Sequence, residues 1–253
     1  AAGQVTLGRA EALCVLYEKL RDPAADESTR SLLRIGAIAS AQTTLVARAL
    51  GALRTAFPNV RVHVTPGVSM RLMDDLDSGK TDAAIMIRPP FGMPSDMTWE
   101  SLVQEPFVLI VPAGTPRRRD WRRLIQEQPF LRYDRTSFGG RIVEGFLRRE
   151  GLSVNDAVEV DEIPALIQLA AEGLGVALVP MVEAHLPLPE GVRTMSLGES
   201  TFFRETGLLQ RRLRSTPAIV SHFAQFLHQA ADAKRGQPGR GPFSKLRSAQ
   251  RAS

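Results

Sequence analysis

Hydrophobic residues recur along the chain at two spacings, every three to four residues in some stretches and every second residue in others, and these stretches alternate. Leu13, Leu16, Tyr17 and Leu20 lie at helical spacing within residues 9–21, and that helix should stop before Pro23. Residues 22–30 are polar and read as a linker. A lone amphipathic helix ahead of a linker has nothing local to pack on, so its stripe is expected against a partner chain or a further domain. After the linker, residues 32–38 read as a strand and 42–56 as a helix with Leu45, Ala49, Leu50 and Leu53 on one face. Val60, Val62 and Val64 alternate with Arg61 and His63, which predicts a strand with one less buried face. A short helix over 69–78 ends at Gly79, a suitable left-handed terminator, and 82–88 is a buried strand. This β-α-β-α-β order predicts a parallel sheet with helices on its faces.

The pattern restarts after a strand at 107–111. Helices are expected at 120–126, 140–149 and 162–173, and strands at 129–133, 157–160 and 175–179, followed by a short helix over 180–185. Two strands, about 192–197 and 204–210, precede a last helix over 216–232, with Thr216 as cap and Pro217 at its first position. Two similar units in one chain place a cleft between them, a favoured ligand position. Apolar segments near 106–112 and 203–212 read as the strands crossing between the units, a stiff but bendable hinge.

Composition narrows the class. Hydrophobic residues at 43% and charged residues at 23% of 253 are ordinary globular usage, which argues against a mainly disordered or fibrous chain. A single cysteine, Cys14, excludes an internal disulfide scaffold and a thiolate zinc cage. Four scattered histidines offer no metal spacing, so no metal or other cofactor is expected. No apolar run approaches the roughly 18 residues of a membrane helix, and no secretory signal opens the sequence, which points to the cytoplasm. The net charge of +5 invites a nucleic-acid reading, but Lys234, Arg235, Arg240, Lys245, Arg247 and Arg251 account for it in an acid-free tail. That tail, residues 234–253, is rich in Gly, Pro and Ser and reads as a disordered, solubilising extension. The cluster Arg117–Arg119 with Arg122 and Arg123 reads as an exposed loop and helix start. Neither a phosphate-binding G-x-x-x-x-G-K-[ST] loop nor a G-x-S-x-G elbow is present, so an enzyme is not expected.

Several segments now carry a family resemblance. R-I-G-A at 34–37 precedes a helix begun near Ser40; F-P-x-V-x-V spans 57–62; G-x-S at 67–69 leads through a leucine-spaced helix to G-x-x-D-x-A-I at 79–85. PFLRYDRTSFGGR at 129–141 and EVDEIPALIQLAAEGLGVALVP at 159–180 agree in order. Together these resemble the effector-binding region of LysR-type transcriptional regulators over about residues 31–233. The resemblance implies a type-2 periplasmic-binding-protein fold: two Rossmann-like α/β subdomains, two crossing strands and one pocket between them. Subdomain I would comprise 31–111 and 212–233, subdomain II 112–211, and residues 1–30 the remnant of a linker helix plus linker. Family members carry an N-terminal winged helix-turn-helix, which is not found here, so the chain reads as a fragment, a cleavage product or a stand-alone sensor. DNA would be reached only through that missing domain, and a homodimer or higher homo-oligomer is implied.

In such a fold helix N-termini face the cleft, where unpaired N–H groups suit an anion. Ser40 and Thr43 lie at the first such end, and Ser69 after Gly67 at the second; Ser40 equally suits a plain cap. Arg88, at a strand's end before Pro89, can pair a ligand carboxylate or a structural acid. Ser137 with the amides of Phe138, Gly139 and Gly140 is expected to form an anion nest, with Arg135 closing over the ligand and Ile163 facing it. The function this implies is sensing of a small, anionic metabolite that controls transcription through the intact regulator. The alternatives are a solute-binding protein feeding a transporter and an enzyme of the same two-lobed shape.

Overall fold

The structure, a computed structural model, describes residues 32–212 and 217–235. The expected helix at 9–21 with Cys14, the linker 22–30, the Thr216 cap and the tail from 236 lie outside the described residues. Strand β1 (Leu32–Ala37) leads into helix α1 (residues 39–56), which is α-helical at Ala39–Ala41, π-helical at Gln42–Val46 and α-helical again at Ala47–Ala56. Then come β2 (Arg61–Pro66), α2 (Ser69–Asp77), β3 (Ala83–Ile87) and the long β4 (Met97–Pro112). The second run is α3 (Trp121–Glu127), β5 (Pro129–Tyr133), α4 (Phe138–Arg149), β6 (Asn155–Val160), α5 (Ile163–Ala171) and β7 (Ala177–Pro180). A 3-10 turn at Glu183–His185, β8 (Val192–Met195), β9 (Phe203–Arg211) and α6 (Ala218–Arg235) complete it. The α/β order is the one expected.

The strand order is β2-β1-β3-β9-β4-β7, with β8 also on β4 and β5-β6 forming a two-stranded sheet. Strands β1, β2 and β3 are parallel, whereas β9 runs antiparallel to both β3 and β4. β3 has the sequence AAIMI and is buried throughout, as a central strand covered on both faces must be. β2 lies at the edge and alternates exposed and half-buried positions. Leu72 and Leu76, four residues apart on α2, are both fully buried, and Gly79 takes a φ of 75° just beyond it.

Buried apolar side chains fall into two clusters. One collects β1, α1, α2, β3, the first part of β4 to Val103, and Leu208, Leu209, Phe223 and Leu227 from the C-terminal strand and helix. The other runs from Phe107 to Phe202. β4 and β9 pass between them: Glu105 lies directly opposite Arg204 in their ladder, where apolar residues give way to polar ones. Some element boundaries differ from the pattern-based expectation. α1 begins three residues early, at Ala39; β4 extends back to Met97; and 180–185 holds only the 3-10 turn after β7. Residues 206–211, expected with the second unit, pack Leu208 and Leu209 into the first cluster, because β9 pairs there with β3.

Candidate functional site

Between the two clusters lies a cavity of about 400 Å³. Four helix starts border it: Ala39 of α1 and Ser69 of α2 from one side, Phe138 of α4 and Ile163 of α5 from the other. Each start brings N–H groups without intrahelical partners and the positive end of a peptide dipole. The local sequence explains the convergence. Each helix follows a strand of its unit, and strand C-terminal ends in an α/β sheet face the crevice.

Among the expected site residues, Ser40, Thr43, Gly67, Ser69, Ser137, Phe138 and Ile163 line the cavity. Their hydroxyls are differently employed. Ser137 is a true N-cap: its Oγ accepts from Gly140 N at 2.9 Å and donates to the Asp134 carbonyl at 2.8 Å. Ser40 and Ser69 are not caps. They lie one residue inside their helices, or at the first helical position, and turn toward the strands. Ser69 Oγ accepts from Ile87 N at 3.1 Å, and Ser40 Oγ accepts from Arg204 Nη2 at 2.8 Å.

Three expected residues do not line the cavity. Arg88 points to Glu205 Oε2 at 3.0 Å and is largely exposed, so the structural ion pair takes it. Burial works against the Glu205 carboxylate, but hydrogen bonds from Trp99 and Arg88 hold its pKa below the ordinary value. Arg135 pairs with Asp156, which also binds the buried Arg132, and its backbone N–H donates to Glu159. Gly139 instead packs beneath Tyr133: a Cβ there would fall 2.3 Å from the ring.

The floor of the cavity holds two residues, Arg204 and His185, that the sequence pattern did not single out. Arg204 is 1% exposed yet lines the cavity. Its Nε donates to Glu105 Oε2 at 2.6 Å, and Thr206 Oγ1 donates to the same oxygen at 3.1 Å. The signal was the alternation of β9, which puts Arg204, Thr206 and Leu208 on one inward face. Tyr133 and His185 complete the polar floor. Burial raises the Tyr133 pKa, while burial and the Arg204 charge push His185 down to about 4, so both are neutral near pH 7. Among the described residues, His185 Nε2 is buried with no hydrogen-bond partner. Asp161 and Glu162, at the start of α5, add two exposed carboxylates, while Ile38, Pro66, Val68 and Ile87 add apolar wall. No group of three or more His, Cys, Asp or Glu with metal-binding placement occurs among the described residues.

Side-chain contacts also link the halves beside the cavity. Arg48 of α1 donates from Nη2 to both oxygens of Glu183, in the turn after β7, at 2.7 and 2.8 Å. The ring of Phe91, following β3, meets Phe138 edge-on, with centroids 5.5 Å apart.

Comparison with known proteins places this geometry. The family model for the LysR substrate binding domain matches residues 26–232. The HTH-type transcriptional regulator TtuA of Agrobacterium vitis is 31% identical over 179 residues, which are 69% of this chain and 58% of that protein. IlvR of Caulobacter vibrioides, also an HTH-type transcriptional regulator, is 29% identical over 169 residues, 65% of this chain and 56% of its own length. The chain thus spans somewhat over half of either regulator. In fold it is similar to the effector binding domain of QuiR, solved in complex with shikimate, with a TM-score of 0.71, 15% identity, and coverage of 81% of this chain and 99% of that one. Among the described residues, no helix is long and apolar enough to cross a membrane.

Proposed function

The chain belongs to the LysR substrate-binding-domain family, and from that premise we propose that it senses a small-molecule effector in the cavity between its two cores. The observation that carries this reading is the meeting of four helix starts, two from each half, over a floor set on a crossing strand by Arg204. A ligand there touches both halves and the hinge at once. It therefore stabilises the arrangement that suits it, in proportion to its differential affinity for the alternatives. In the intact regulator that bias passes to a helix-turn-helix of the kind for which its relatives are named, and so to transcription. The two lobes of this reading are built around the two buried clusters, with β4 and β9 as the hinge. Ligand leaves the site chemically unchanged. The regulator acts in the cytoplasm as a homodimer or higher homo-oligomer. Family membership sets aside the transporter alternative.

A thermal-shift screen of organic acids and neutral metabolites tests this. Thr43, exposed on α1 and lining the cavity, is the blocking position. Thr43→Trp should abolish the shift given by a binder, whereas Arg88→Ala, outside the cavity, should preserve it. A binder insensitive to Thr43→Trp would place the site elsewhere.

A further inference from the structure

Resting on that assignment of the cavity, we infer that the effector is a small monocarboxylate with a compact apolar body, and that Asp161 and Glu162 bar a second carboxylate. The anchor is Arg204. Its Nε is taken by Glu105 and its Nη2 by Ser40, while Nη1 is hydrogen-bonded to no described residue. Although the residue is 1% exposed overall, that nitrogen is not sealed off but opens on the cavity, where a ligand acceptor can reach it. A carboxylate oxygen supplies one, and the surrounding helix starts favour its charge.

The same geometry admits one negative charge and resists two. The Arg204 charge is already balanced by Glu105 at 2.6 Å. Among the described residues no other Arg or Lys lines the cavity, and Tyr133 and His185 are neutral. Against this stand Asp161 and Glu162, exposed on the lining at the start of α5. A ligand held on Arg204 by one carboxylate sends its remainder along Ile38, Pro66, Val68, Phe138 and Ile163. That apolar wall accepts hydrocarbon, and a second carboxylate leaving it meets like charge at the rim.

Calorimetric titration of the whole chain with matched probes tests this: benzoate against terephthalate, and hexanoate against adipate. Each monocarboxylate should bind at least about 10-fold tighter than its dicarboxylate partner. In the double variant D161N/E162Q, whose sites are exposed and can fold with neutral side chains, the ratio should narrow to about 3-fold or less as the dicarboxylates tighten. A control that removes two exposed acids outside the cavity, D77N/E190Q, should leave the ratio unchanged. Dicarboxylates that match or beat their partners in the wild type would overturn the inference, as would a ratio unmoved by D161N/E162Q or moved equally by the control. Should the acids all fail while a neutral metabolite binds and Thr43→Trp blocks it, the chemical class is wrong and the cavity assignment stands. Should nothing bind, in this panel or in the broader screen, both fall.

Discussion

Arg48 and Glu183 pair across the two halves of the molecule, a single guanidinium nitrogen bonding both carboxylate oxygens at 2.7 and 2.8 Å beside the cavity. Both side chains are about half exposed, at 43% and 52%. Solvent therefore screens the attraction, and its worth lies more in geometry than in stability. A double-mutant cycle with Arg48→Ala and Glu183→Ala should return a coupling of about 0.2–1 kcal/mol that fades at about 0.5 M salt. A coupling well above 1 kcal/mol, or one indifferent to salt, would mean that the pair is more enclosed than this geometry implies.

The pair between Arg204 and Glu105 should behave differently, because both are buried. Removing one partner strands the other's charge away from water. Glu105→Ala should cost about 3–5 kcal/mol in urea unfolding. The double variant Arg204→Met with Glu105→Leu removes both charges and should recover much of that loss. If Glu105→Ala unfolds at nearly the wild-type urea concentration, the pair is hydrated in solution.

His185 makes stability depend on pH. Its folded pKa is pushed down to about 4 from 6.5, by burial first and Arg204 second. Between those values the unfolded chain takes up the proton more readily than the folded one. The contribution is thus fully present above about pH 6.5 and is lost as pH falls toward 4, by up to about 3 kcal/mol. Below pH 4 it changes no further. His185→Gln should flatten this segment of the stability profile, measured by denaturant titration at a series of pH values.

Two adjacent glycines at the start of α4 should differ in tolerance. A Cβ on Gly139 would meet the tip of the Tyr133 ring at 2.3 Å, and the ring can tilt. A Cβ on Gly140 would fall 1.8 Å from the Asp134 carbonyl oxygen, which is backbone. Gly139→Ala should cost about 1–3 kcal/mol, and Gly140→Ala more than that, together with the Ser137 cap. Thermal melting of the two variants ranks them.

Much of the architecture was legible because its signals are local. The alternation of β2, the leucine spacing of α2 and the terminator Gly79 depend only on neighbours in sequence. So does the position of Ser40, Ser69 and Ser137 near helix starts. What the hydroxyls bond was not legible: Ser40 meets Arg204 across 164 positions. Arg88 and Arg135 read as ligand groups because they stand beside strand ends, yet Glu205 and Asp156, brought to them by tertiary pairing, neutralise both. Arg204 is illegible in the sequence for the converse reason. A charge inside a strand looks solvated until the ladder with β4 sets Glu105 opposite it.

The unequal way in which the chain contributes to the two cores bears on its synthesis. The second cluster draws all its residues from the single stretch Phe107 to Phe202, in which, of the buried apolar residues, Phe138 alone packs into the first, whereas the first needs Leu208, Leu209 and α6 to close it. A nascent polypeptide emerging from the ribosome can therefore finish its middle before its beginning. Meanwhile β3 waits for β9 with an open edge, which makes this interval the one in which chaperone protection matters most.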